Sequence, residues 1–410
     1  MAPAIDIGRR ATLAALACLA TAPRRVFAQT PAALSAADFA APDLGRPVTR
    51  ELQAALDASF ETGLPLVFPR GEWVIDAPLR VTHTARGRRG FPRISGAGPG
   101  STRLRALAFD GPMVAVRGAP FEKPAGTFFL WGGGFEGVDF IGAGGVANQG
   151  AIEALGWWNG TLRNCGFSRF GGHALRAIGD AALDSNPDWT ASILRVEHCM
   201  FERLRGWGFL DDNPIGAPGW IFDHCVFVLC GAGGAFTRSS GTQFLGCSFS
   251  GCGFLDERTP APGLGVGLRI GDAGRTTINR VRVVVAEFDS NKDAHILIDR
   301  ATSFLIEDAR FIHNDRYRTG DITPKTAVLL GAAHPRSLLA NGRVARPLVR
   351  IDHKGEVTGY RLETREARDL VIEPEHFAFT PGDAGVFTRL SGFPDAAGRT
   401  AARIRVPDDP

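Results

Sequence analysis

Short apolar runs alternate with turn residues along most of this chain. Seven of the runs share one pattern, a small residue or cysteine, one variable residue, then phenylalanine. They are Val138-Asp139-Phe140, Cys165-Gly166-Phe167, Cys199-Met200-Phe201, Cys225-Val226-Phe227, Cys247-Ser248-Phe249, Ala286-Glu287-Phe288 and Ala309-Arg310-Phe311. Successive phenylalanines are 27, 34, 26, 22, 39 and 23 residues apart. Repetition at roughly 20–50 residues marks a stacked, solenoid-like fold. An apolar or β-branched run precedes each pattern, as in Trp220-Ile221-Phe222. A Gly- or Asn-rich turn follows, and then a second run of strand length at 174–178, 208–210, 235–237, 266–270, 295–298 and 327–330. No long amphipathic helical stretch interrupts them, which argues against alternating strand–helix folds. The pattern predicts an all-β chain, a single-stranded right-handed parallel β-helix.

In such a coil equivalent residues stack about 4.8 Å apart. The pattern cysteines then form one inward ladder and the phenylalanines another. A shorter row five residues after the cysteine holds Cys230, Cys252, Asn291 and Asn314. Its polar members are expected to satisfy backbone groups at the turn. His198 and His224 each precede a pattern cysteine, so their shared position points to stacking at a turn.

Solenoids need a cap over the first open coil. Leu52, Ala55 and Leu56 fall at helical spacing, with Thr49 placed to cap the start. Leu66-Val67-Phe68-Pro69-Arg70-Gly71-Glu72-Trp73-Val74-Ile75 then reads as strand, tight turn, strand, and Ile94-Ser95-Gly96-Ala97-Gly98 as a glycine turn. The helix with Leu-Gln-Ala-Ala-Leu, the Phe-Pro-x-Gly turn and the Gly-x-Gly motif about 25 residues later resemble the start of the pectate-lyase-like β-helix superfamily. The likeness is to its rhamnogalacturonase and epimerase-like branch and covers residues 45–335. It implies a carbohydrate polymer as ligand, bound along one strand face. It does not fix the reaction, because the superfamily holds lyases, hydrolases, epimerases and non-catalytic adhesins.

The ends change the picture. Arg9-Arg10, an apolar run over 11–22 and Val26-Phe27-Ala28 read as an export signal over 1–28, similar to a twin-arginine signal. The run is too short to anchor the protein permanently in a membrane. A periplasmic or secreted protein is expected, with a flexible segment at 29–44, the β-helix at 45–335, and irregular last coils and a cap at 336–410. A net charge of +3 gives no reason to expect nucleic acid as partner. Loss of the leader removes Cys18 and leaves six cysteines. Four share one repeat position, which favours buried free thiols over disulfides. Disulfides between adjacent rungs remain geometrically open.

Candidate chemistry depends on which residues of the second runs face out. Ile152, Leu175, Phe209, Phe236, Leu268, Ile296 and Val328 are aligned as inward. Glu153, Arg176, Thr237, Arg269, Asp212, Asp299 and His295 then face outward, and a one-residue slip would invert the set. Three functions follow. Elimination of a uronate polymer needs a base and a group that neutralises the carboxylate. Arg176 and Arg269 are candidates to bind that carboxylate or to act as the base, with Glu153 and Asp212 as acid or, together with Asp293, as oxygen ligands to a Ca²⁺ ion. His295 is a further candidate base. Hydrolysis would use Asp211 and Asp212, which resemble the double Asp of polygalacturonase-type hydrolases. Gly172-His173-Ala174 partly resembles their Gly-His-Gly motif, but it precedes the Asp pair, and their Arg-x-Lys motif is missing. The third function is a non-catalytic carbohydrate-binding or cell-envelope solenoid. Glu153, Trp157, Trp158 and Trp189 are candidate sugar contacts, the tryptophans by stacking. The leading expectation is a lyase.

Overall fold

The computed structural model describes residues 33–42, 45–82, 90–118, 130–179, 193–213, 219–272, 274, 277–314, 325–331, 338–352, 357–362, 367–368, 370–372, 376–379, 387–391 and 404–405. Residues 1–28, expected to be an export signal, and Trp189 lie outside them. Leu34–Pro410 is one compact unit.

That unit is a right-handed parallel β-helix. Three long sheets of 13, 11 and 11 strands run its length, and every strand pair within them is parallel. The first sheet takes the runs before each pattern, such as Ile221–Asp223, and the second takes the pattern itself, such as Val226–Cys230. The third takes the second runs, such as Gly233–Thr237. The seven pattern phenylalanines form the expected file inside the coil. Ring centroids from Phe140 through Phe167, Phe201, Phe227, Phe249 and Phe288 to Phe311 are 5.2, 4.8, 4.6, 4.8, 4.9 and 5.6 Å apart. Glycine at the first inward position of the third sheet makes room for this file. A Cβ on Gly208 or Gly234 would stand 2.6 Å from the Phe227 or Phe249 ring.

The six cysteines from Cys165 to Cys252 are buried and free. Asn291 holds its turn as expected: its Oδ1 accepts from the Cys252 amide at 2.9 Å and its Nδ2 donates to the Phe249 carbonyl at 3.1 Å. The corner between the first and second sheets is a single left-handed residue, at φ 50° in Asn164, 52° in His198, 49° in His224 and 52° in Val285. The His198 and His224 rings accordingly meet there, 5.4 Å apart and tilted by 31°.

Helix α1, Thr49–Thr62, covers the open first coil with Leu52, Ala55 and Leu56. Its cap differs from the expectation. Val48 is the N-cap, while the Thr49 hydroxyl donates to Asp76 Oδ1 at 2.6 Å and accepts from the Asp76 amide at 2.9 Å. Thr49 thus ties the helix to the coil instead of capping it. Within 29–44, read as flexible, Leu34–Ser35 pairs with Leu66–Val67. Nor does parallel pairing stop at 335: Leu348–Asp352 pairs with Arg310–Asn314, and Val357–Leu362 with Lys325–Leu330.

Candidate functional site

The outward face of the third sheet carries a file of ion pairs. Gly150–Leu155, Leu175–Ile178 and Trp207–Asp212 lie side by side, and Glu153 stands directly opposite Arg176. Glu153 takes Arg117 on one side, and on the other Arg176 Nη1 at 3.2 Å. Arg176 Nη2 reaches Asp212 at 2.6 Å. Arg238 then binds Asp212 at 2.9 Å and Asp272 at 2.8 Å. Signs alternate along the file, which is the arrangement stacked strands favour, because like charges on neighbouring rungs repel. One coil further on, Arg269 pairs with buried Asp299 at 2.9 Å. Phe236 lies between the Arg238 and Arg269 guanidinium groups, 4.4 and 4.5 Å from its ring centre, in cation–π contact.

The two neighbouring aspartates have opposite environments. Burial alone would raise the Asp212 carboxyl, but hydrogen bonds and charge from Arg176 and Arg238 outweigh it and hold the group below its ordinary range. Asp211 points into the coil, and its burial pushes its carboxyl up despite bonds from Ser239 Oγ at 2.5 Å and the Arg238 amide at 2.9 Å. It clamps the turn after the third sheet and so places Arg238. The strand runs through both residues, so they face opposite ways and cannot flank one glycosidic bond. That corrects their reading as a hydrolytic pair.

A cleft of about 300 Å³ opens beside Glu153 and Arg176, lined also by Asn148, Gly150, Gly172 and His173. His173 Nδ1 accepts the Trp207 amide at 3.0 Å. Burial, reinforced by the Arg176 charge, lowers His173 to about 4, so the ring is neutral near pH 7. In the sequence Gly172-His173-Ala174 is only a partial motif. Its informative partner is a backbone amide 34 residues away, invisible without the fold.

Other expected site residues fall elsewhere. Glu153, Arg176 and Arg269 do share the outward row, but Ala235 takes the inward place given to Phe236. Phe236 therefore faces out, and Thr237 turns in to bond Thr242 at 3.0 Å. His295, read as outward, is 1% exposed. It continues the row of Gly208, Gly234 and Gly267 and bonds Asn291 at 3.0 Å, because strict alternation fails where the chain turns into the third sheet. Trp157 is buried: its Nε1 donates to the Gly132 carbonyl at 2.9 Å and its ring packs edge-on against Phe91 at 5.1 Å. Trp158 is half-buried, on the rung next to Trp131, which is 43% exposed.

The calcium expectation does not fit these residues. Asp293 lies five third-sheet rungs from Glu153 and three from Asp212, about 24 and 14 Å. Calcium ligands must all lie within about 2.6 Å of the ion. Asp293 accepts the Gly265 amide at 2.6 Å, and Glu153 and Asp212 are held by arginines. Among the described residues no cluster of three or more His, Cys, Asp or Glu side chains could hold a metal ion. No described helix is long and apolar enough to cross a membrane.

No family model and no curated protein matches the chain. Solved structures do. The chain is similar to PfbA, a surface adhesin of Streptococcus pneumoniae, with TM-score 0.56 and 13% identity over 88% of this chain and 91% of that one. It is similar to the tailspike protein of E. coli bacteriophage HK620, solved as a mutant with a pentasaccharide, at TM-score 0.57 and 13% identity over 87% and 65%. The A-module of the Azotobacter vinelandii mannuronan C-5 epimerase AlgE6 matches at TM-score 0.50 and 14% identity over 92% and 100%. At these identities the likeness is one of fold.

Proposed function

We propose that the protein is exported, binds an acidic polysaccharide along the N-terminal half of the third sheet, and cleaves it by β-elimination at the Glu153–Arg176 cleft. One observation carries the reading. Arg176, with a side chain 40% exposed, stands beside the Glu153 carboxylate at the rim of a cleft open to ligand. A guanidinium binds a uronate carboxylate through two parallel hydrogen bonds. Arg176 would give up its 3.2 Å contact to Glu153 in exchange. Glu153, still held by Arg117, then accepts the proton from sugar C5. The C5–H pair becomes the C4=C5 double bond as the C4–O4 bond breaks. O4 leaves with that bond's electrons and takes the proton back from Glu153, so the step balances without water.

The neighbours support the substrate class: one is named for acting on mannuronan at C5, another was solved with a pentasaccharide. Epimerisation at C5 and this elimination share their first step, loss of the C5 proton. A test is to incubate the protein with polygalacturonate, alginate and neutral polymers, following ultraviolet absorbance of the unsaturated product together with new reducing ends. Both should rise on a uronate polymer, and Glu153→Gln should abolish both. Reducing ends without absorbance would mean hydrolysis and refute elimination.

A second reading is a non-catalytic carbohydrate-binding solenoid. It is favoured by the mutual pairing of Arg117, Arg176, Arg238 and Arg269 with Glu153, Asp212, Asp272 and Asp299. It predicts affinity for a polysaccharide with neither product.

A further inference from the structure

We infer that His173 is a fixed hydrogen-bond donor of this cleft, presenting Nε2–H to the uronate carboxylate beside Arg176 and steadying the charge that grows there as the C5 proton leaves. The inference rests on the elimination reading and assigns a residue that reading does not require.

The geometry fixes the tautomer. A ring nitrogen accepts a hydrogen bond only when it carries no proton. Nδ1 accepts the Trp207 amide at 3.0 Å, so the single proton of the neutral ring is on Nε2. Trp207 begins the strand Trp207–Asp212, and its register opposite Gly233 fixes where its amide points. Gly206 permits the approach, since a Cβ there would be 2.8 Å from Nδ1. His173 lines the cleft with Glu153 and Arg176, and Nε2 meets no hydrogen-bond partner among the described residues.

The surroundings suit a donor and not a base. The charged groups that act on the ring are Arg176, which opposes its protonation, and Asp212 and Glu153, which favour it. Burial is the largest influence and keeps the ring uncharged. A neutral donor aimed at a carboxylate strengthens as negative charge accumulates on that group, which is how preorganised donors lower a barrier. Arg176 and His173 would then each serve the developing aci-carboxylate. With Nδ1 occupied and Nε2 protonated, His173 has no lone pair to offer as the C5 base, which leaves that role to Glu153.

The test combines spectroscopy with two variants. Long-range ¹⁵N–¹H correlation on the ¹⁵N-labelled protein should show His173 neutral and protonated at Nε2 from pH 8 to about pH 5, with the Nε2 signal shifting when galacturonate oligomers are added. An Nδ1–H tautomer, or an imidazolium in that range, overturns the inference even if a variant fails to fold. Turnover of uronate polymer should fall about a hundredfold in His173→Phe with KM little changed. His173→Gln has an oxygen for the Trp207 amide and an N–H for the ligand, and should stay within about tenfold of wild type. Wild-type turnover with an unimpaired His173→Phe would sink the His173 role and leave elimination standing. Neither turnover nor uronate binding by wild type would sink elimination, and the uronate role of His173 with it.

Discussion

The inside and the outside of the same coils obey the same rung spacing and respond to it in opposite ways. Inside, the rungs stack identical residues: Phe201, Phe227 and Phe249 lie nearly parallel, with interplanar angles of 4° and 3°. Stacking like on like buries apolar area at every step. Outside, identical charges would repel at that distance, so Glu153, Arg176 and Asp212 alternate in sign. The inner file specifies the fold and repeats. The outer file is specific to this molecule, and two of its members, Glu153 and Arg176, border the cleft. Stability should therefore be concentrated inside and activity outside.

The largest expected effect comes from breaking the inner file. Phe227→Ala removes a fully buried ring between two stacked neighbours and should cost about 3–5 kcal/mol, read as a lower urea midpoint. A loss below about 1 kcal/mol would mean the file does not hold the coil.

The next concerns pH at the junction of the two files. His173 is lowered to about 4 in the folded protein, against about 6.5 in an unfolded chain. Between those values the unfolded chain binds more protons, so stability falls as pH drops from 6.5 toward 4, by up to about 3 kcal/mol. Urea midpoints of wild type and His173→Gln at pH 7 and pH 4.5 should differ in their pH dependence by that sign. Parallel behaviour would show that the ring titrates normally.

Breaking the outer file should separate the two properties. Arg176→Ala should lower turnover about a hundredfold, because the uronate loses its cation, while stability changes by about 1 kcal/mol or less. A large stability loss with normal activity would reverse the comparison. The smallest effect belongs to neither file. Val285 is a β-branched residue held at φ 52° on an exposed corner. Val285→Asn should stabilise by about 1 kcal/mol without changing activity, as a thermal melt would show.

The same contrast explains what could be read from sequence. The phenylalanine file was legible because insertions between coils, including the 39-residue step, leave the small-x-Phe pattern intact. Glu153, Arg176 and Arg269 were placed correctly because their strands keep strict alternation. Phe236 was misplaced by one residue after the Gly233-Gly234 pair, which offers no side chain to mark parity. His295 was misplaced because a corner position turns inward regardless of alternation. Asp211 and Asp212 look like one acidic pair in sequence, and only the continuation of the strand through both sets them on opposite faces. His173 needed the fold, since its defining bond joins two coils.

Elimination at the Glu153–Arg176 cleft stands or falls on the chemistry of its product. Its most direct test is one assay on uronate polymer, recording unsaturated-product absorbance and reducing ends for wild type, Glu153→Gln and Phe227→Leu. Both signals should appear together in wild type, vanish in Glu153→Gln although that protein remains folded, and persist in Phe227→Leu. Full activity in Glu153→Gln, or reducing ends without absorbance in wild type, would contradict elimination there.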